Sequence, residues 1–132
     1  MLLTTQPRLD LGRRVVAEAI GTCLLVVAIV GSGIMASRLS PGDVGLQLVE
    51  NAAATAGALI GLIVMFGAVS GAHFNPVVTI VERLVGAMST DEAVAYIAAQ
   101  IAGGCAGALL ANAMFELPVF QWADRGRASG AL

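Results

Sequence analysis

The sequence predicts an all-α membrane protein with three transmembrane helices and one short re-entrant helix. Two features of the composition predict this fold class, since 58% of the 132 residues are hydrophobic and only 12% are charged. Soluble domains average about 45–50% apolar and about 25% charged residues, so this chain is expected in a lipid bilayer. The third feature is the position of the charges, which leaves long uncharged runs between polar segments.

The same composition excludes several other classes of protein. Intrinsic disorder requires low hydrophobicity and high charge. The chain has no lysine, seven arginines and a net charge of -2, so it offers no basic surface for the phosphates of a nucleic acid. No convergent set of catalytic side chains is visible, and the single histidine lacks nearby ligand partners. We therefore expect neither an enzyme, nor a cofactor, nor a metal site.

The first predicted span covers about residues 15–37, an apolar run interrupted only by Glu18. A cleaved signal peptide is the alternative, because Arg13 and Arg14 resemble its charged start. The run is longer than the usual apolar region of about 7–15 residues and has an acid near its beginning, which favours a retained span. The arginine pair is then interpreted as a membrane-flanking anchor.

The next uncharged run, residues 51–81, is too long for one span of about 20 residues. We divide it into a span at about 48–69 and a re-entrant loop with a half-helix at about 70–86. Asn75 is a favoured N-cap and Pro76 fits the first helical position, so a helix begins there. Its 12 residues, counted to Gly86, measure about 18 Å, roughly half a bilayer. A single helix kinked at the proline is the alternative.

The third span is predicted at about 93–115, preceded by a Ser-Thr-Asp-Glu helix start at 89–92. Aromatic residues near its ends are predicted interface anchors, namely Tyr96, Phe115 and Trp122. Two pairs of glycines four residues apart predict close helix packing, Gly57 with Gly61 and Gly103 with Gly107.

Residues 70–79 read Ser-Gly-Ala-His-Phe-Asn-Pro-Val-Val-Thr. This string resembles the first signature loop of the aquaporin and glycerol-channel family (major intrinsic proteins), S-G-A-H-x-N-P-A-V-T. It departs only at Val77, where the family usually has alanine. Residues 17–22 and 99–104 are similar to the family's first-helix and third-helix motifs. The likeness covers about residues 13–118 and implies one half of an inverted-repeat fold with two such halves.

The resemblance implies a passive channel and a set of residue roles. It assigns the pore signature motif to Asn75, Pro76 and Val77, and the pore-lining loop to Gly71, Ala72 and His73. The Asn75 amide would donate a hydrogen bond to a permeating molecule, while the positive helix ends repel cations. For His73, a role at the pore wall and a purely structural role in the loop both stay open.

Glu18 and Gln100 are predicted to support the loop. An acid inside the membrane is a functional hypothesis by default, and a proton-coupled transporter would use Glu18 as its titrating carrier. The resemblance instead implies that the Glu18 carboxylate accepts hydrogen bonds from loop N–H groups, which are costly to leave unpaired in lipid. Gln100 is expected to do similar work from the third span.

Selectivity is expected to depend on Thr55 and Val78, which match the family's filter positions by their spacing from Asn75. Water-selective members tend to carry a bulky aromatic residue at the position of Thr55, and the family's filter arginine, which follows the second motif, corresponds by its offset to Val78. A pore built from two copies is therefore expected to pass small neutral solutes such as glycerol-like polyols, urea or neutral metalloid acids, with or without water.

One half-helix cannot enclose a pore, so we expect two chains in opposite orientations, with further assembly possible. The positive-inside rule permits this arrangement, because the arginines divide four against three between the two faces. The alternatives are a split channel that needs a separately encoded second half, a non-conducting fragment, and the small dual-topology transporter that uses Glu18. We expect a multi-pass protein of the bacterial inner membrane.

Overall fold

The computed structural model describes residues 9–120, which form four α-helices. Helix α1 spans Leu11–Leu39, α2 spans Val44–Ser70, α3 spans Pro76–Leu84 and α4 spans Thr90–Met114. By length and composition, α1, α2 and α4 are able to cross a membrane. Helix α3 has only 9 residues, about 14 Å. The predicted class is thereby confirmed, since the described residues contain three candidate spans, a short helix and no strand.

The helices continue past the apolar runs because each begins at a polar N-cap. The Asp10 side chain accepts from Gly12 N at 3.0 Å and starts α1, and Asp43 accepts from Leu46 N at 2.9 Å to start α2. Ser89 caps α4 in a reciprocal box with Glu92. Helices α1 and α2 therefore begin before the predicted spans of 15–37 and 48–69, and each also ends slightly later than predicted.

Helix α1 lies between α2 and α4 and packs along both. It runs parallel to α4, because Arg14 near its start pairs with Glu92 at 2.7 Å and Arg38 near its end donates to the Phe115 carbonyl at 3.1 Å. Helix α2 returns antiparallel to α1, and α3 packs against α4. The half-helix and the starts of α1 and α4 therefore share one end of the bundle.

The prediction that Arg14 and Tyr96 are interface anchors is wrong, because both side chains point into the bundle. Arg14 is 8% exposed and Tyr96 is fully buried, and Arg14 Nε donates to the Tyr96 hydroxyl at 3.0 Å. Successive helical side chains are turned by about 100°, so Arg14 faces α4 while Arg13 stays exposed. Phe115 is half-buried and lies under the Arg38 guanidinium, and Trp122 lies outside the described residues.

The two glycine pairs behave differently. A Cβ atom added at Gly103 would overlap the Ala19 carbonyl oxygen, and one at Gly107 would overlap the Cys23 carbonyl oxygen. These glycines permit the close α1–α4 crossing. Added at Gly57 or Gly61, a Cβ would meet nothing within 4 Å. The packing predicted for the Gly57–Gly61 pair is therefore not made within the described chain, since that face of α2 points outward.

We expect Gly103→Ala to lower the free energy of unfolding by about 1–3 kcal/mol, because the new methyl group must displace the α1 backbone. The matched change Gly67→Ala should be neutral or stabilising by up to about 1 kcal/mol through helix propensity, because a Cβ at Gly67 meets nothing within 4 Å. Unfolding in detergent, followed by circular dichroism, measures both. Equal losses for the two variants would contradict the close approach at Gly103.

Candidate functional site: the re-entrant loop and half-helix

The loop between α2 and α3 turns the chain back through left-handed backbone conformations. Gly71, Ala72 and Phe74 have φ angles of 92°, 52° and 48°. Such values are easy for glycine but unfavourable for alanine and phenylalanine, so other contacts must hold the loop. The loop lies where the backbone leaves α2, and its N–H groups need acceptors.

The Glu18 carboxylate of α1 supplies those acceptors. Its Oε1 accepts from the Ser70 hydroxyl at 2.6 Å and from His73 N at 3.0 Å. Its Oε2 accepts from Phe74 N at 2.7 Å and from Gln100 Nε2 at 2.8 Å. Glu18 is 0% exposed, so four donors surround a carboxylate that solvent does not reach. Glu18 thereby joins α1 to α2, α4 and the loop.

Gln100 continues this network to the half-helix. Its Nε2 also donates to Thr79 Oγ1 at 2.9 Å, and Thr79 is fully buried. Thr79 Oγ1 lies 3.0 Å from His73 Nδ1 and 3.3 Å from the Asn75 carbonyl oxygen. The sequence analysis did not select Thr79. Its position one helical turn after Asn75 placed it on the same side of α3, but nothing in the sequence showed that this side faces Gln100.

A second support, also missed at the sequence level, holds the end of α2. The Tyr96 hydroxyl donates to the Ser70 carbonyl at 2.9 Å and accepts from Arg14 Nε. The His73 ring lies edge-on to the Tyr96 ring, with centroids 5.3 Å apart. His73 is therefore fixed by Thr79 on one side and by Tyr96 on the other.

The hydrophobic support for the loop is Phe74, which is 4% exposed. Its ring occupies the space that a side chain at Gly21 would fill, since a Cβ built at Gly21 overlaps the Phe74 ring. Phe66 of α2 packs edge-to-face against it, with centroids 6.0 Å apart. The packing thus explains why the first-helix motif has a glycine at position 21, because a residue without a side chain leaves room for the Phe74 ring.

Asn75 caps α3, and this contact fixes the orientation of its amide. Its Oδ1 accepts from Val77 N at 2.8 Å, so the Nδ2 group is left without a partner among residues 9–120. Asn75 is exposed, and Val77 and Val78 beside it are 65% and 42% exposed. The N-terminal end of α3 therefore presents an amide donor, with the positive end of the helix dipole behind it, on an open face of the chain.

A cavity of about 320 Å³ lies beside the loop at the same end of the bundle. Its lining includes Arg14, Ser70, Gly71, His73 and Glu82. Polar side chains and backbone thus line a space next to the loop that is large enough for several water molecules. No cluster of three or more His, Cys, Asp or Glu side chains suitable for a metal occurs within residues 9–120.

The two predicted selectivity residues lie outside the hydrogen-bond network. Thr55 is half-buried on α2, and its hydroxyl oxygen is buried without a hydrogen-bond partner in the described part of the chain. Val78 is on the first turn of α3. The structure brings Glu18, Gln100 and His73 together, whereas the roles of Thr55 and Val78 stay predictions.

Three long apolar helices, a loop held by a buried acid and a capped short helix together define an all-helical fold of the membrane-protein type. The family model described as "Major intrinsic protein" matches residues 6–128, and the chain belongs to this family. Aquaglyceroporin AqpS of Rhizobium meliloti (strain 1021) is 48% identical over 122 residues, which are 92% of this chain and 52% of that protein.

Two relatives from Arabidopsis thaliana are more distant. Probable aquaporin NIP7-1 is 33% identical over 103 residues, covering 78% of this chain and 36% of the relative. Aquaporin NIP6-1 is 30% identical over 111 residues, covering 83% of this chain and 35% of the relative. The chain thus spans about half, or less, of the length of the curated relatives it matches.

We expect Glu18→Gln to destabilise the fold strongly. A neutral amide has one acceptor oxygen, so its NH2 group must face two of the four donors. Each buried donor left unpaired costs about 1–3 kcal/mol. The matched control is Glu50→Gln, because half-buried Glu50 accepts a hydrogen bond from Ser40 at 2.9 Å near the α1–α2 turn.

The free energy of unfolding in detergent measures both variants, and the control should lose about 1 kcal/mol or less. Limited proteolysis of the folded proteins gives a second reading, because only the Glu18 variant should become sensitive between α2 and α3. A Glu18→Gln protein as stable as the control would refute the anchoring role.

Proposed function

We propose that the chain contributes one half of a passive membrane channel for water or small neutral solutes. The observation that carries this proposal is the Asn75 amide at the exposed N-terminal end of α3, whose Nδ2 has no partner in the described part of the chain. A fixed donor backed by a helix dipole binds the oxygen of a neutral molecule and disfavours cations. Gly71, Ala72 and His73 would line the approach, beside the cavity of about 320 Å³.

The exposed tip of α3 supports a second half in the conducting species. Val77 and Val78 face outward, and an apolar helix end with a polar cap is poorly suited to contact lipid alone. We propose a second copy of this chain in the opposite orientation, which would place two Asn75 amides tip to tip. Higher assembly of such pairs and residence in a bacterial inner membrane are further parts of the proposal.

The outward face of Gly57 and Gly61 supports the same arrangement. Nothing in the described chain fills the space beside these glycines, so another helix could approach α2 closely there. Their packing role is therefore proposed between chains, where it was first expected within one.

The permeating molecules are proposed to be small and uncharged. Thr55 is a small residue at a filter position, and Val78 offers no charge to a passing ion. A pore lined twice by these residues would be wide and only weakly selective, which fits glycerol-like polyols, urea and neutral metalloid acids. The name of the relative AqpS, an aquaglyceroporin, agrees with solutes of this kind.

A proton-coupled transporter is the less favoured function. Its carrier would be Glu18, yet this side chain is fully buried and holds four hydrogen-bond donors. Cyclic protonation would require breaking the contacts that fix the loop. A channel half uses Glu18 as a permanent anchor, which agrees with this geometry.

We expect Asn75→Asp to lower the flux of water and glycerol about tenfold, the effect of losing one hydrogen bond to the permeant. Aspartate is an equally good N-cap, so α3 should persist while the amide donor is replaced by a negative charge. Asn112→Asp is the matched control, since Asn112 donates to the Val119 carbonyl near the end of α4 and away from the half-helix.

The measurement is osmotic swelling of vesicles that contain the purified chain alone. Rapid flux without a pH gradient supports the pair of identical chains. Flux that appears only after addition of a polypeptide with the complementary half supports a split channel. Transport that needs a proton gradient would refute the channel, and the absence of flux under every condition would support a non-conducting protein.

We expect Thr55→Phe to narrow the pore and to reduce glycerol flux more than water flux. A ring at this position fills space that a solute with three carbons needs, whereas single-file water needs less. The ratio of glycerol to water permeability, taken from the same vesicle preparation, is the measured quantity. Val49→Phe on the same helix is the control, because Val49 is 63% exposed and lines neither of the two cavities described in this structure. A wild-type pore that passes water alone would contradict the proposed selectivity.

A further inference from the structure

A second cavity lies on the outside of the bundle, at the same end as the half-helix, and no residue of α3 lines it. It is a groove of about 560 Å³ between the start of α1 and the end of α2. Its walls are apolar and come from Val16 and Ile20 of α1 and from Met65, Phe66 and Val69 of α2. Val16, Ile20 and Met65 are 56%, 46% and 64% exposed, so the groove is open to the surroundings of the bundle.

The groove begins at a membrane face and runs inward. Asp10, Gly12 and Arg13 line it at the end where α1 begins. From Arg13 to Ile20 the helix rises about 10 Å, which is less than the roughly 15 Å of one leaflet's hydrocarbon. The groove therefore runs along the helix for a distance that fits the part of one acyl chain nearest the headgroup.

Opposite charges lie together at the polar end of the groove. The Arg13 side chain is exposed and has no hydrogen bond or ion pair within residues 9–120. Asp10 uses Oδ2 to accept from Gly12 N at 3.0 Å, and its Oδ1 has no partner in the same range. A guanidinium and a carboxylate oxygen, both without a partner among residues 9–120, thus stand at the polar end of an apolar groove.

From this juxtaposition we propose that the groove binds a phospholipid whose headgroup carries a primary ammonium group. The phosphate pairs with Arg13, the ammonium donates to Asp10, and one acyl chain fills the apolar walls. A guanidinium matches phosphate geometry, and charge-assisted hydrogen bonds are the stronger ones. A trimethylammonium headgroup has no N–H to donate, and an anionic headgroup without an amine leaves Asp10 beside negative charge.

This lipid site requires only that the chain lies in a membrane, so it does not depend on conduction. Its residues lie at the α1–α2 groove and do not include the Asn75 cap or the Glu18 network. A failure of the lipid proposal would therefore leave the proposed channel function untouched, and the reverse also holds.

The test titrates the purified full chain in detergent with phosphatidylethanolamine, phosphatidylcholine and phosphatidylglycerol of identical acyl chains. Native mass spectrometry counts the bound lipids. We expect phosphatidylethanolamine to bind about tenfold more tightly than phosphatidylcholine, and Arg13→Gln to weaken its binding about tenfold. Asp10→Asn retains the helix cap, because asparagine is an equally good N-cap, and should bring the two lipids within about twofold.

Arg83→Gln is the matched control, since Arg83 is a second arginine at this end of the bundle and donates to Thr90 Oγ1 at 2.9 Å. Its lipid binding should equal that of the wild type. Equal binding of the three lipids to the wild type, preference for phosphatidylglycerol, or no effect of Arg13→Gln would overturn the proposal. A stable pair of chains that binds none of the lipids would also overturn it, because a second copy would then cover the groove.

Discussion

The structure depends on one buried carboxylate. A loop that leaves its helix inside a membrane exposes N–H groups that lipid cannot satisfy, and each costs several kcal/mol if unpaired. Glu18 accepts hydrogen bonds from two of these N–H groups and from the Ser70 hydroxyl, and its fourth contact is Gln100 on another helix. A side chain with a single acceptor oxygen would serve fewer donors, so the two carboxyl oxygens of Glu18 meet a requirement of the loop backbone.

The position of Glu18 also explains why α1 lies between the other two long helices. The loop must reach α1, and Gln100 of α4 must reach both Glu18 and the half-helix. Gly103 and Gly107 let the backbones of α1 and α4 approach closely, which brings Gln100 within 2.8 Å of the carboxylate. The Phe74 ring fills the space left at Gly21, so the polar anchor and the apolar anchor of the loop share one face of α1.

The sequence predicted the elements well because their causes are local. Apolar runs predicted the three long helices, and the Asn75–Pro76 pair predicted the start of α3. It failed where the answer depends on which helix face meets a neighbour. Arg14 and Tyr96 were predicted to be interface residues from their places in the chain, but the turn of each helix directs them inward. Gly57 and Gly103 belong to pairs with the same spacing, and only the packing of the helices distinguishes them. Thr79 was missed for the same reason, since its burial follows from the packing of α3 on α4.

The distribution of burial separates the faces of the molecule by what each must contact. Of the three long helices, α4 has the largest share of buried residues in its apolar stretch, 33%, and α2 has the smallest, 6%. Helix α3 uses Thr79 to face the bundle and leaves Val77 and Val78 outside. In lipid an exposed apolar side chain costs little, but the polar end of a helix with an unpaired amide does not fit there. The exposed tip of α3 is therefore the surface that supports the proposed contact with a second half, whereas the apolar faces suit lipid.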